Sequence, residues 1–304
     1  MSRFVQYSKL GGPEVLEVVA EPDPHAGPGQ VRVAVKAAGL NPFDFKTRSI
    51  AEYLPGHTLP SRQGHEFAGI VDEIGADVTD VAVGDEVLGW VDFAAQADYV
   101  VVEQAHLALK PAGLDWATAG SISLVGNTAI RATAAVHPGP GDTVLVSAAA
   151  GGVGIFACQF ARSLGATVIG TASEANHDFL RQIGVIPVAY GDGLRERLQA
   201  AAPQGISAVI DNAGRDTVEL ALELGVEPSR INTIVYYPGV ELHGISAIGG
   251  GGKTSAALAD LAQLVADGEL VMPIAATYPI TEVRAAYEHL ESRHLRGKIV
   301  LIWP

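Results

Sequence analysis

Residues 143–224 alternate short apolar runs with longer stretches of helical periodicity. The runs TVLV, TVIGTA, IPVAY and SAVIDNAG have the composition of strands, and each is followed by about ten residues typical of a helix. Strands that alternate with helices of this length form βαβ units, whose strands lie parallel in one sheet. The segment therefore predicts an α/β fold built on a doubly wound parallel sheet, which is the strongest constraint on how this chain folds.

A glycine-rich loop, SAAAGGVG at residues 147–154, lies directly after the first of these strands and directly before a helix. At such a turn a dinucleotide pyrophosphate binds the helix N-terminus, where backbone N–H groups and the helix dipole favour negative charge. Gly151 lets the backbone approach the pyrophosphate and Gly154 allows close packing of helix on strand, although Ala149 replaces the first glycine of the usual pattern. A plain tight turn is the alternative. The residues expected to contact the cofactor here are Ala150, Gly151, Gly152, Val153 and Gly154.

The end of the second strand indicates which dinucleotide binds. Sites for NAD usually place an acidic residue there for the ribose hydroxyls, whereas this chain has Ala172 and Ser173. A small polar strand end accommodates a 2′-phosphate, so the sequence favours NADP(H). Glu174 follows directly and no lysine is nearby, so the strength of the preference for NADPH over NADH stays open.

A second glycine-rich stretch, AIGGGGKT at residues 247–254, competes for the role of phosphate site. Its Lys253 and Thr254 stand where a P-loop places the lysine that reaches phosphate and the hydroxyl that holds Mg²⁺. A P-loop phosphotransferase also needs a later apolar strand ending in aspartate, and the residues after Thr254 contain no such strand. The sequence therefore favours the loop at 147–154 as the phosphate site.

Composition places the chain among well-buried globular proteins with two domains. It has 304 residues and a hydrophobic fraction of 48%. The first 110 residues contain short valine-rich runs separated by turn residues and predict a β-rich domain. We expect the C-terminal run KIVLIWP to return to this domain as a strand. A net charge of −14 disfavours nucleic acid and anionic membranes as partners. No apolar run reaches about eighteen residues and the N-terminus lacks an h-region, so a cytoplasmic protein is expected. The single cysteine, Cys158, is expected to be a buried core residue.

Five further stretches resemble the medium-chain dehydrogenase/reductase superfamily, and specifically its zinc-free NADPH:quinone oxidoreductase branch. They are AAGLNPFDFKTRS (37–49), GHEFAGIVDEIG (64–75), VGDEVLG (83–89), SAAAGGVGIFACQFARSLGATVIGTAS (147–173) and LESRHLRGKIVLI (290–302). The resemblance implies a GroES-like β-rich catalytic domain from residues 1–115 and 268–304, with a Rossmann dinucleotide-binding domain inserted at 116–267. It also implies a homodimer.

The resemblance allows the zinc site of related alcohol dehydrogenases to be compared residue by residue. Their first cysteine ligand corresponds to Asn41, their histidine to His65, and their second cysteine to Leu124. One histidine with the neighbouring Glu66 cannot complete a tetrahedral catalytic site, so we expect no metal. Alcohol oxidation by Lewis-acid activation is then disfavoured.

What is left is hydride transfer from NADPH to an acceptor that needs little activation, such as a quinone. The resemblance implies that Asn41 and Tyr53 face the nicotinamide and the acceptor, and that Tyr53 donates to the developing oxygen; a buried aromatic is the alternative for Tyr53. Asp44 is expected to order its loop rather than to transfer protons. The implied cofactor contacts outside the glycine loop are Thr128, Ser173, Asn176, Tyr190, Asn212 and Arg293.

Three alternatives remain at this stage. Within the reductases, the acceptor could be an α,β-unsaturated ketone or an enoyl thioester in place of a quinone. Two alternatives are not reductases. One is the P-loop phosphotransferase, and the other is a sensor that has the same fold and binds NADPH but does not catalyse a reaction. For the stretch Gly249–Lys253 we expect a mobile hinge or lid at the rim of the cofactor and substrate cleft. We expect Lys253 in solvent, and contact with a substrate or cofactor anion is the alternative.

Overall fold

A computed structural model describes residues 1–51, 53–292 and 295–304. Its contacts divide the chain into two compact units. The first unit comprises Met1–Leu124 and Lys253–Pro304, and the second comprises Val125–Gly252. By these contacts, residues 116–124 and 253–267 fall with the first unit, and the domain boundaries given above stay a prediction.

Strands and helices are numbered in chain order. The strands are β1 (Ser2–Tyr7), β2 (Glu17–Glu21), β3 (Gln30–Gly39), β4 (Ser61–Arg62), β5 (Glu66–Ile74), β6 (Glu86–Trp90), β7 (Tyr99–Glu103), β8 (Leu107–Leu109), β9 (Thr143–Val146), β10 (Thr167–Ala172), β11 (Ile186–Ala189), β12 (Ala208–Asp211), β13 (Ile231–Thr233), β14 (Ile274–Pro279) and β15 (Lys298–Ile302). The α-helices are α1 (Pro42–Ser49), α2 (Trp116–Ala119), α3 (Ser123–Ala135), α4 (Gly152–Ser163), α5 (His177–Gln182), α6 (Leu194–Ala201), α7 (Arg215–Glu223), α8 (Gly239–His243), α9 (Ser255–Ala266) and α10 (Val283–Glu291). Short 3₁₀ turns cover Pro13–Val15, Gln104–His106, Glu174–Asn176, Pro228–Arg230 and Ile280–Glu282.

The first unit is a β-rich domain with two sheets. A seven-stranded sheet has the order β14-β15-β3-β5-β6-β8, with β7 also paired to β3, and a three-stranded sheet has the order β2-β1-β4. Along β3 the alternate residues Val31, Val33 and Val35 are buried, as the two-residue period of a half-buried strand requires. The C-terminal strand β15 pairs antiparallel with β3, so the last residues of the chain lie in the same sheet as residues 37–39.

The second unit contains the parallel sheet that the alternating pattern predicts. Its order is β11-β10-β9-β12-β13, and every pair is parallel. The chain therefore starts in the middle of the sheet at β9, moves outward to β11, and returns to build the other half. The carboxyl ends of all five strands meet at one edge, which is where ligands bind in open α/β sheets. This arrangement confirms the predicted Rossmann-type sheet and the GroES-like sheet domain beside it in sequence.

Helices cover the sheets as their apolar faces require. Helix α4 follows β9 and buries Ile155, Phe156 and Cys158. Cys158 is fully buried and free, and burial raises the pKa of its thiol, so the prediction of an inert core cysteine is confirmed. Within the described residues, no helix has the length and apolar character needed to span a membrane.

Candidate active site and cofactor site

The turn between β9 and α4 has the backbone geometry of a phosphate loop. Ala148 adopts a left-handed conformation with φ of 47°, and Gly151 begins the helix as its N-cap. A Cβ at Gly154 would lie 2.3 Å from the carbonyl oxygen of Ala148, so only glycine permits this approach of helix to turn. Helix geometry leaves the N–H groups of the first helical residues without an intrahelical acceptor. The predicted residues Ala150, Gly151, Gly152, Val153 and Gly154 thus form one turn at the carboxyl edge of the sheet.

A buried aspartate ties the strand ends around this turn together. Asp211, at the end of β12, accepts hydrogen bonds from the hydroxyls of Ser147 (2.8 Å) and Thr233 (2.7 Å) and from the backbone N–H of Gly214 (3.0 Å). Because these partners follow β9, β13 and β12, one carboxylate fixes three neighbouring loops. No role was predicted for Asp211 from the sequence. The available signal was that an acidic residue ends the apolar run SAVID.

The residues at this edge fit a dinucleotide. Asn212 donates its side-chain N–H to the carbonyl of Ser147 at 2.8 Å, while its Oδ1 is buried and has no hydrogen-bond partner. An acceptor left without a donor is a site for a ligand hydroxyl or amide. The glycine turn, the N-terminus of α4 and this acceptor together suit the phosphates and polar edge of NADP(H).

The predicted 2′-phosphate residues lie on adjacent strand ends. Ala172 of β10 pairs with Ala189 of β11, so Ser173 and Tyr190 leave the sheet side by side. Asn176 donates to the hydroxyl of Ser173 at 3.2 Å, and the Tyr190 side chain is exposed. Arg293 lies outside the described residues. The remaining predicted contact, Thr128, lies in α3 beside Gly249 and is mostly buried.

In the first unit, a buried lysine binds Glu66 and Asn41, and Asn41 matches a metal ligand of alcohol dehydrogenases. The ammonium of Lys298 lies 2.8 Å from Oε1 of Glu66, 2.6 Å from Oδ1 of Asn41 and 2.7 Å from the carbonyl of Leu40. Asn41 also donates to Oε1 of Glu66 at 2.8 Å, and the backbone N–H of Leu124 donates to Oε2 at 2.7 Å. Lys298, Glu66 and Asn41 are each at most 3% exposed. We call these three residues the lysine-centred network.

The donor set at this place does not fit zinc. Leu124 offers only a backbone N–H, and the amide oxygen of Asn41 already accepts from the Lys298 ammonium. A tetrahedral zinc site needs three protein ligands with free lone pairs, and of the residues compared only His65 and Glu66 carry suitable atoms. No group of three or more His, Cys, Asp or Glu with metal-binding geometry occurs in residues 1–51, 53–292 and 295–304. A fixed ammonium supplies the positive charge next to Glu66.

The Asn41 side chain is 1% exposed, and its amide oxygen and nitrogen have the protein partners just given. These contacts fix the start of α1, and the expected contact of Asn41 with the nicotinamide and the acceptor stays a prediction. Asp44 does order this loop: its Oδ2 accepts from the backbone N–H of Asn41 at 2.8 Å and from the Tyr287 hydroxyl at 3.1 Å. Burial raises the pKa of the Asp44 carboxyl, opposed by the charges of His65 and Lys298.

His65 lies between two carboxylates. Its Nε2 is 3.6 Å from Oδ1 of Asp44, and its Nδ1 is 3.5 Å from Oδ1 of Asp92, whose side chain is 79% exposed. Both Nε2 of His65 and Oδ1 of Asp44 are buried without a hydrogen-bond partner. The interaction with His65 is the main cause that lowers the pKa of Asp92. A buried imidazole thus connects an exposed carboxylate to a buried one.

Aromatic side chains surround this imidazole. Phe43 and Phe93 lie edge-on to His65, with ring centroids at 4.9 and 4.5 Å. Tyr53 is half-buried beside Phe43 at 5.8 Å, with the Lys46 ammonium 5.6 Å from its ring centroid. Aromatic walls of this kind suit a flat, conjugated acceptor. The position of Tyr53 is compatible with the expected acceptor contact, which stays a prediction.

The P-loop-like stretch does not have P-loop geometry. The hydroxyl of Thr254 accepts from the backbone N–H of Ala257 at 3.2 Å and so caps α9, which occupies the group that would hold Mg²⁺. Two carbonyls of the preceding loop accept hydrogen bonds from α3: Asn127 donates to Gly251 at 2.9 Å and Arg131 to Gly249 at 3.1 Å. Its predicted mobility stays a prediction.

Lys253 differs from the expectation of a solvated side chain. It is half-buried, and its Nζ lies 5.7 Å from the ring centroid of Trp90, which is 7% exposed. A lysine stem covers apolar surface well, and an indole face attracts the ammonium. Residues 247–254 gave no signal of this contact because Trp90 is more than 150 positions away in sequence.

Comparisons with known proteins agree with this architecture. Residues 27–136 match the alcohol dehydrogenase GroES-like domain family, and residues 185–301 match the zinc-binding dehydrogenase family. A quinone oxidoreductase of Pseudomonas aeruginosa is 32% identical over 99% of this chain and 100% of its own. The structure of the quinone oxidoreductase from Coxiella burnetii aligns with a TM-score of 0.90 at 32% identity, covering 100% of this chain and 99% of that one.

A third similar protein is the Escherichia coli quinone oxidoreductase solved in complex with NADPH. It aligns with a TM-score of 0.86 at 27% identity and covers 100% of both chains. Residues 185–301 match a family described as zinc-binding, whereas the residues at the matched ligand positions, Asn41, His65 and Leu124, do not fit zinc. Full-length similarity, the two-domain fold and the glycine turn agree on one conclusion: this chain belongs to the quinone oxidoreductase family of the medium-chain dehydrogenase/reductase superfamily.

Proposed function

We propose that this protein transfers a hydride from NADPH to a quinone without the help of a metal ion. The observation that carries the proposal is the lysine-centred network, in which the Lys298 ammonium binds Glu66 and also Asn41, the residue that matches a metal ligand of alcohol dehydrogenases. An acceptor that delocalises the incoming charge needs no Lewis acid. Quinones satisfy this condition.

The cofactor part of the proposal rests on the second unit. The β9–α4 turn would hold the pyrophosphate, Asn212 would contact a polar group of the cofactor, and Ser173, Asn176 and Tyr190 would surround the 2′-phosphate. Arg293 belongs to the same set by resemblance. When bound, NADPH supplies the hydride and its two electrons. The protein's own contribution is to bind, orient and exclude water.

The acceptor part rests on the first unit. Phe43, Phe93 and Tyr53 would stack on or line the flat ring, and Tyr53 would donate to the acceptor oxygen as charge develops there. Asn41 would act by holding the first turn of α1 through Glu66 and Lys298. The His65–Asp92 contact places a titratable pair next to the same aromatic wall.

A homodimer and a cytoplasmic location complete the proposal. Beyond β13, Asn232 forms an isolated parallel bridge with Ser246, and the neighbouring segment exposes Tyr237, Leu242 and Ile248. Exposed apolar side chains clustered at a sheet edge support an interface with a second copy. Sedimentation at micromolar concentration distinguishes a dimer from a monomer.

The test is NADPH consumption against a panel of 1,2-quinones, 1,4-quinones, enones and enoyl thioesters, repeated with NADH. We expect turnover with quinones and a preference for NADPH. Turnover with enones or enoyl thioesters but not with quinones would support the alternative, a reductase of α,β-unsaturated ketones or enoyl thioesters. NADPH binding without any turnover would support the sensor, and thermal stabilisation by ATP–Mg²⁺ alone would support the phosphotransferase.

A further inference from the structure

Lys253 differs in its partners from the other partly buried lysines. Lys298 is bound to Glu66, and Lys110 forms an ion pair with Glu86 at 2.8 Å. For Lys253, no acceptor atom lies within hydrogen-bond or ion-pair distance of Nζ in the described part of the chain, although the side chain is half-buried over Trp90. The contact with Trp90 holds the stem, and the N–H donors of the ammonium have no protein acceptor in the described residues and are available to a ligand.

The charges around Lys253 favour its protonated form. Burial is the largest effect on Lys253 and lowers the pKa of its ammonium. The negative charges of Asp92 and Glu66 act in the opposite direction and raise this pKa. The other titratable groups nearby in the first unit are His65, which contacts Asp92, and His106, which lies against Trp90. The net effect is that the pKa of Lys253 is lowered from its ordinary value.

Lys253 contacts Trp90, which lies three residues before Phe93 of the aromatic wall. Asp92 precedes Phe93, whose backbone has φ of 56°, and Phe93 lies against His65. Glu66 bonds Asn41 through Oε1. Of the two carboxylates whose charge acts on Lys253, Asp92 is adjacent in sequence to Phe93 of the aromatic wall, and Glu66 is hydrogen-bonded to Asn41 at the start of α1.

We propose that Lys253 is the catalytic residue that binds and protonates the oxyanion formed when the acceptor takes up the hydride. This inference rests on the proposed function. The hydride brings two electrons and one proton to the acceptor, and an acceptor oxygen becomes negative. An N–H bond of the Lys253 ammonium breaks, an O–H bond forms on that oxygen, and the neutral amine regains its proton from water. The Trp90 ring holds the ammonium in position.

The test uses steady-state kinetics of Lys253→Met, Lys253→Arg and Asp92→Asn across a pH series with a quinone acceptor. Lys110→Met is the matched control, because Lys110 also lies over an indole, 4.7 Å from the Trp116 centroid. We expect Lys253→Met to lower kcat about 100-fold with little change in the KM for NADPH. Lys253→Arg keeps the charge without titrating, so it should restore part of kcat and abolish the alkaline limb of the profile. Lys110→Met should keep wild-type kcat.

Asp92→Asn gives a readout that a purely structural lysine would not move. The carboxylate raises the pKa of Lys253, so its removal should shift the alkaline limb of kcat to lower pH. A Lys253→Met enzyme with kcat within twofold of wild type, or with an unchanged alkaline limb, would overturn the inference while the proposed function stands. A wild-type enzyme that turns over no acceptor would overturn both.

Discussion

The two units of this protein build their binding sites by opposite means. In the second unit, the phosphate turn uses backbone groups of consecutive residues, and the absence of a Cβ at Gly154 permits the close approach of helix to turn. In the first unit, the lysine-centred network uses buried side chains separated by up to 257 positions. The turn is a local structure with no room for a side chain at Gly154. The network instead joins segments that are distant in sequence through charged side chains. Substitutions should therefore damage the two sites by different mechanisms.

Removing the lysine of the network should have the largest effect on stability. Lys298→Met leaves the Glu66 carboxylate buried with only N–H donors from Asn41 and Leu124. Breaking a buried ion pair costs about 3–5 kcal/mol, which chemical denaturation would measure as a loss in the free energy of unfolding. Lys36→Met is the control, because Lys36 is more exposed and bonds only the carbonyl of Pro304.

A second variant makes the test of the network specific to charge. Adding Glu66→Gln to Lys298→Met removes the unpaired charge and should restore part of the lost stability. A Lys298→Met loss below about 1 kcal/mol, in the range of surface ion pairs, would contradict a buried network that depends on its cation.

The phosphate turn should respond to added volume instead. A Cβ at Gly154 meets the Ala148 carbonyl oxygen at 2.3 Å, so Gly154→Ala must shift either α4 or the turn. Overpacking of this kind costs about 1–3 kcal/mol, and we expect weaker NADPH binding by fluorescence titration. Gly139→Ala in the same unit meets nothing within 4 Å and is the control. Equal NADPH affinity of both variants would argue against this turn as the cofactor site.

The comparison also explains what could be predicted from the sequence. The turn at 147–154 and the parallel sheet were predictable because strand, glycines and helix are adjacent in the chain. The lysine-centred network was not, because its contacts follow from the pairing of β15 with β3, which no local pattern encodes. One signal was available: Lys298 opens the apolar run KIVLI, an unusual place for a charge without a buried partner. The contact of Lys253 with Trp90 was not predictable for the same reason, since the two residues are distant in sequence.

Asp44 should produce a pH dependence that its neighbour Asp92 does not share. Burial raises the pKa of Asp44 in the folded state above its unfolded value, so unfolding releases a proton and stability falls as pH rises between the two values. The pKa of Asp92 is lowered, so its contribution is instead lost as pH falls. Urea denaturation from pH 4 to 7 should show Asp44→Asn gaining stability relative to wild type with rising pH. The opposite trend would mean that Asp44 is a stabilised carboxylate.

The smallest effect is expected at the end of β10. Ser173→Asp places a negative charge where the 2′-phosphate is proposed to bind, beside Asn176. The ratio of kcat/KM for NADPH over NADH should fall about tenfold, which corresponds to about 1.4 kcal/mol. Ser163→Asp, at an exposed position of α4, adds the same charge elsewhere in the unit and should leave the ratio unchanged. An unchanged ratio in Ser173→Asp would remove this strand end from cofactor selection.

The central claim is that NADPH reduces a quinone without a metal ion, in a protein whose Asn41 and Glu66 are bound by the Lys298 ammonium. The most direct measurement is the rate of NADPH oxidation with a 1,4-quinone before and after exhaustive chelation, with metal analysis of the same samples. The account predicts equal rates, no stoichiometric zinc and no stimulation by added zinc. A rate that falls on chelation and returns with zinc would contradict it.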